Sequence, residues 1–275
     1  MTALPVLVVN ADDFGLTPGV SEGILRAGQD GVVTSTSVLT VAPAFRSHAA
    51  ALRDSGLGVG CHVALVGEDP LLLGPGEVPT LVDAAGRPPA SWRQLLRRWA
   101  TGKVDPDDVR REASAQLAAC RDAGLVVDHL DTHQHVHLLP SVGAVLVDLC
   151  ATEGVGAMRR PDAVAGLQAV GVRRLARRFA DRARSAGVRV PDGFAGLDGA
   201  GHLGVPGMVA GVERLGGAGL TSAELGVHPG ADPDPDRVRY AWGYDWAGEL
   251  SAVTSPALRS AVERAGFRLG TFADL

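Results

Sequence analysis

Cysteine is scarce in this sequence: Cys61, Cys120 and Cys150 are the only three among 275 residues. So small and odd a number excludes a disulfide framework and fits a reducing compartment. Positive charge is not in surplus. The 26 Lys and Arg are outnumbered by 31 Asp and Glu, for a formal net charge of −5. Nothing in bulk therefore draws the chain to nucleic acid or to an anionic membrane. No apolar run reaches the roughly 18–20 residues of a membrane-spanning helix. The opening MTALPVLVVNADDFG has no positive segment ahead of its apolar run, which stops at Asn10 before two acids. It reads as a first strand and not as a secretion signal. Low-complexity linkers and internal repeats are missing as well. These absences predict a soluble, cytoplasmic protein folded as a single domain over residues 1–275. Its 46% of hydrophobic residues is enough for a sizeable core.

What is present alternates. Leu4 to Asn10 is almost wholly apolar, as in a strand buried on both faces. Thr17-Pro18 supplies an N-cap and a first-turn proline for a helix that turns Val20, Ile24 and Leu25 inward and stops near Gly31. A strand over Thr34 to Val41, a helix over Phe45 to Arg53 and a strand over Gly58 to Val63 follow. Gly67 to Pro89 is rich in Gly and Pro without a clear period, which predicts a long loop of the kind that serves a site. Asp105-Pro106 opens a helix to Ala123, Val126 to Thr132 is a strand, and Pro140 to Glu153 is a helix. A later strand falls at Leu225 to His228, and a last helix runs from Ser255 to Ala265. Such alternation predicts a parallel α/β sheet, open or closed into a barrel. Function then belongs at the carboxyl ends of the strands.

The chemistry-bearing residues fall there. Asp12-Asp13 follows the first strand, His62 ends the third, Asp131, His133, His135 and His137 end a later one, and His228 ends another ahead of Pro229-Gly230. Five of the eight histidines thus sit at the ends of three strands, the pattern of a metal site. Each has a plainer reading. Two acids can mark a turn, a lone histidine is often a hydrogen-bonded structural group, and HPG can be a strand-to-loop turn. DTHQHVH resists such a reading: histidines at two-residue spacing put several imidazoles on one side of an extended segment. Cys61 neighbours His62 but faces the opposite way on its strand, into the barrel wall.

The ordered set NADDFG, GCHVAL, DTHQHVHLLP, MRRP and HPG, between about residues 5 and 270, resembles the YdjC-type carbohydrate deacetylases, also called chitooligosaccharide deacetylases. The resemblance implies a distorted (β/α) TIM-like barrel forming one metal-dependent deacetylase domain. It implies one divalent ion held by Asp13, His62 and one histidine of DTHQHVH, with His133 preferred and His135 as the alternative. A nitrogen and oxygen set suits zinc or magnesium, with cobalt, manganese and nickel as further options. The chain departs from the family at the third strand, where Ala64 replaces the usual polar residue two places after His62.

Removal of an acetyl group from an N-acetylated sugar is the activity implied. Asp12 is the general base and His228 the general acid. Asp131 orients a metal-bound imidazole, and Arg159, matching the family arginine two residues before the proline better than Arg160, steadies Asp12 or the sugar. Trp92, Trp242, Tyr244 and Trp246 are candidate sugar platforms. The seven arginines from Arg173 to Arg189 read as a solvated helix face, with an anion-attracting rim as the alternative. A metal-dependent phosphoesterase or amidohydrolase on a similar barrel is a rival, although those proteins show His-x-His after the first strand where this chain has Asp-Asp. A catalytically silent sugar-binding homologue is another, although a mere binder needs neither Asp12 nor His228. A homodimer is left open.

Overall fold

Burial on both faces explains the first strand. The computed structural model describes residues 4–163 and 168–275. In it β1 spans Val6–Phe14 and is buried at every position. Side chains alternate along it. Val6 and Val8 join Ala157 and Phe272 in a small cluster that plugs the barrel interior, whereas Leu7, Val9 and Ala11 face the helices in the main core. Asn10 and Asp12 continue the inward row.

Eight strands form one sheet in the order β5-β4-β3-β2-β1-β7-β6, with β8 paired to β1, and every pairing is parallel. They are β2 (Ser35–Val38), β3 (Gly58–Val63), β4 (Val127–Thr132), β5 (Ala157–Met158), β6 (Gly193–Ala195), β7 (Ser222–Val227) and β8 (Arg268–Gly270). One edge of β1 is shared: β8 takes Val6 to Val8, and β2 takes over from Asn10. The other edge pairs with β7 from Val6 to Ala11. Beside β5, the chain just ahead of β6 adds an isolated parallel bridge, as Arg189 donates to Gly156 O at 3.0 Å and accepts from Met158 N at 2.9 Å. The result is a distorted (β/α) barrel.

Helix starts follow the capping chemistry in the sequence. Thr17 accepts from Val20 N ahead of α1 (Pro18–Asp30), Asp105 from Asp107 N ahead of α4 (Pro106–Asp122), and Ser255 from Ala257 N ahead of α9 (Pro256–Arg264). The others are α2 (Phe45–Arg53), α3 (Trp92–Ala100), α5 (Pro140–Glu153), α6 (Gln168–Ser185), α7 (Val205–Gly216) and α8 (Trp246–Val253). On α6, Arg174, Arg177, Arg178 and Arg182 are exposed, as a solvated face requires. Among the described residues no helix is long and apolar enough to cross a membrane.

Three expectations need correction. The strand expected over Thr34 to Val41 is paired only from Ser35 to Val38, because the chain turns at Thr40 toward α2. The Asp12-Asp13 pair does not lie beyond the end of β1 but within it, at a register shift between Ala11 and Phe14. DTHQHVH is not extended: His133–Leu138 winds into a 3-10 turn with positive φ at Gln134 and His135.

Candidate metal centre and its surroundings

Local backbone geometry brings both aspartates to one end of the barrel. Neighbouring strand residues face opposite ways, but Asp13 has φ of 70°, a left-handed conformation that Asp tolerates better than most residues. That bulge cancels the alternation.

Asp13 Oδ1 then lies 3.6 Å from His62 Nε2 and 3.5 Å from His133 Nδ1, all three residues being buried. These separations exceed a good hydrogen bond, and Asp13 Oδ1 has no hydrogen-bond partner among the described residues. They do match the edges of a tetrahedron around one ion, since ligands at about 2.1 Å from it stand roughly 3.4 Å apart. The three ligand atoms lie within 4.8 Å of one another. Two imidazoles and a carboxylate oxygen without a good hydrogen bond among the described residues fit a divalent cation. Burial works against the charge of Asp13, but His133, His62 and His228 outweigh it and hold the carboxyl below its usual range.

Behind this group stands a polar layer. Asp131 Oδ1 bonds His62 Nδ1 at 2.8 Å, leaving Nε2 turned toward Asp13. Burial opposes a charged His62, yet Asp131 dominates and raises the imidazole to about 9. Asp131 Oδ2 accepts from Ser37 Oγ at 3.0 Å and pairs with Arg159 at 2.6 Å. Against the penalty of burial, Arg159 and His62 hold Asp131 far below the usual carboxylate range.

Arg159 is fully buried and grips Asp12 with both terminal nitrogens at 2.6 Å, while its Nε donates to Glu224 Oε1 at 2.7 Å. Asn10 adds a third donor to Asp12 at 2.8 Å. Despite its burial, Asp12 is brought by this guanidinium to about 2. On the far side His228 has its Nε2 3.9 Å from Asp12 Oδ2, and its backbone N–H donates to Glu249 Oε2 at 2.5 Å.

The turn in DTHQHVH fans its imidazoles apart. His133 joins Asp13 and His62. His135 packs toward Phe194, and burial lowers its pKa well below the ordinary histidine value. His137 bonds Thr132 Oγ1 at 2.7 Å, lies against Phe179, and is lowered by burial to about 3. Trp242 leans over His133 with ring centres 5.1 Å apart. Trp92 lies away from this cluster, at the mouth of an apolar cavity of about 350 Å³ beside Leu96, His135 and Leu175. At Ala64 the backbone N–H and C=O are both taken by the Gln116 amide, at 2.9 and 2.8 Å.

Asn10, Ser37, Glu224 and Glu249 went unnoticed in the sequence. Glu224 carried a signal, being an acid inside the otherwise uncharged strand SAELGV. Ser37 and Asn10 carried none beyond their position on buried strands.

Fold and site together define a barrel protein with a buried Asp–His–His group, fitted to a divalent cation, at the carboxyl ends of its strands. The chain belongs to the YdjC-like protein family, whose model matches residues 6–264. It is 31% identical over 276 residues to a chitooligosaccharide deacetylase of Serratia marcescens, covering 98% of this chain and 99% of that protein. A carbohydrate deacetylase of Homo sapiens is 33% identical over 299 residues, covering 98% and 90%. A crystal structure from Enterococcus faecalis, provisionally described as a cellobiose-phosphate cleavage protein, superposes with a TM-score of 0.84 at 26% identity, covering 99% of each chain.

Proposed function

We propose that the chain is a metal-dependent deacetylase that releases acetate from N-acetylated sugars, with chitooligosaccharides as the first substrate class to test. The observation that carries this is the Asp13–His62–His133 group flanked by Asp12 and His228, in a chain related over its whole length to deacetylases. In this reading Asp13, His62 and His133 hold one divalent ion, zinc or magnesium. When bound, it supplies Lewis acidity to polarise the acetyl carbonyl and to lower the pKa of water.

The remaining roles belong to side chains. Asp131 fixes the tautomer and angle of His62. Asp12 is ionised at any physiological pH, and Arg159 with Asn10 locks its direction, so it receives the proton of the attacking water. The same pairing makes Asp12 a weak base, so the proton moves on to His228, 3.9 Å away, once His228 has given up its own. His228, across the site from Arg159, gives a proton to the sugar nitrogen as the C–N bond breaks. Three buried free thiols, Cys61, Cys120 and Cys150, suit a reducing cytoplasm.

The test is acetate release from N,N′-diacetylchitobiose, its phosphorylated form and longer chitooligosaccharides. The protein is first stripped of metal and then reloaded with zinc, magnesium or cobalt. Metal-restored release, lost in Asp12→Asn and His133→Ala, is expected. Release of phosphate without acetate would transfer the site to phosphoester chemistry.

A further inference from the structure

From Tyr240 to Trp246 every second residue is aromatic, and this segment passes over the site. Trp242 leans on His133. Two residues later Tyr244 meets His228 edge-on, with ring centres 5.0 Å apart and planes at 66°. The same strip therefore touches the residues on both flanks of the reaction space.

Tyr244 is seated with care. Its ring is held between Trp242 and Trp246 at 5.5 and 5.1 Å. Gly201 lies directly beneath it, and a Cβ there would overlap the ring. Asp245 N donates to Gly201 O at 2.7 Å and pins this seat to the strip. The ring packs against the core, but the residue is only half-buried and carries a polar end that such packing does not use. Among the described residues no hydrogen-bond partner is found for its hydroxyl, although the carboxylates of Asp13 and Asp12 are close enough to act on it. Burial first, and those two charges next, push the phenol well above its usual value, so it keeps its proton.

We propose that Tyr244 is a further catalytic residue, whose hydroxyl donates a hydrogen bond to the acetamido oxygen of the substrate. This rests on the deacetylase reading above. An amide's oxygen and nitrogen share one carbon, so donors to the two must be neighbours, as Tyr244 and His228 are. As the water oxygen bonds to the carbonyl carbon, the C=O π pair moves onto oxygen, and Tyr244 holds the charge that grows there. The pair returns as the C–N bond breaks and the nitrogen takes its proton. The phenol O–H stays intact throughout, so Tyr244 acts as neither acid nor base.

The test is Tyr244→Phe in the metal-loaded enzyme, which keeps the ring on Gly201 and removes only the donor. Loss of one oxyanion donor predicts kcat lower by roughly 10²-fold, with KM little changed and the thermal midpoint preserved. A sugar carrying a tetrahedral phosphonamidate in place of the acetamide should bind the variant more weakly by a similar factor, whereas the deacetylated amine product binds both proteins alike. Unchanged kcat overturns the inference. So does a raised KM with kcat intact, which would assign the hydroxyl to a sugar hydroxyl. Absence of acetate release by the wild-type protein from any N-acetylated sugar overturns the deacetylase reading and the role of Tyr244 with it.

Discussion

Replacing Glu224 by glutamine should make the metal-free protein more stable, and only at the alkaline end. Glu224 is fully buried on β7, gives one oxygen to Arg159 Nε and has no partner for the other among the described residues. Burial raises its carboxyl from 4.5 to about 7, with Asp12 and Asp131 adding to the shift and Arg159 opposing it. Below about pH 4.5 both folded and unfolded chains hold the proton, and the raised value costs nothing. Between about 4.5 and about 7 the unfolded chain ionises while the folded one does not, so stability falls as pH rises. A displacement of about 2.5 on the pH scale, at about 1.36 kcal/mol for each step of one, amounts to about 3 kcal/mol. Above about pH 7 the loss is complete. Glutamine has the same shape, still accepts from Arg159 and does not titrate. Urea unfolding of both proteins at about pH 5 and about pH 8 reads the effect. The two should be nearly equal at the lower pH, with the variant ahead by about 3 kcal/mol at the higher. Asp12 and His62 titrate in both proteins and cancel in this comparison. A pH-independent difference, or a variant that weakens as pH rises, would refute the reasoning.

Other expectations concern the neighbours of Glu224. In the metal-free protein His62 is protonated up to about 9, and an ion taking Nε2 needs the neutral ring, so uptake near neutral pH should expel about one proton per ion. Calorimetric titration in buffers of differing ionisation enthalpy measures this, and zero release would remove His62 from the ligand set. Asp131→Asn takes the charge from the acceptor behind His62 Nδ1 and should weaken ion affinity by roughly 10-fold or more. Competition against a chelator reads it, and unchanged affinity would deny Asp131 an orienting role. Arg159→Met leaves Asp12, Asp131 and Glu224 without their shared cation. The cost should be at least about 3–5 kcal/mol at neutral pH, and an unfolding midpoint equal to that of the wild type would contradict the network described above.

Much of this was legible in the residues. Thr17-Pro18, Asp105-Pro106 and Ser255-Pro256 announce helix starts because the cap and the missing N–H act locally. The buried strand before Asp12 was equally plain from its apolar run. What escaped depends on distant partners. β5, β6 and β8 have only two or three residues each, and tertiary pairing, not local pattern, makes them strands. The histidine run departs from what its spacing suggests for a related reason. Alternate spacing suggests an extended segment, but positive φ at Gln134 and His135 is imposed by the turn into α5. His133 still reaches Asp13, by a route the spacing does not contain. Likewise Asp12 and Asp13 share one end of the barrel through a bulge that no residue pattern marks.

The shared edge of β1 has a consequence for how the molecule comes into being. The strand that carries both aspartates is flanked on one side by residues 222–227 and on the other partly by 268–270. Contacts so remote along the chain form slowly, because the loops between must be closed before any pairing rewards them. During synthesis, which delivers the N-terminal end first, β1 waits as an apolar ribbon with open edges, the state in which a chain of this kind is most prone to stick to its neighbours. Its carboxylates meanwhile remain in water and apart from their histidines. A cation held by Asp13, His62 and His133 would therefore have no early nucleus to gather, and would act on the finished barrel as a latch, slowing its opening without hastening its closure.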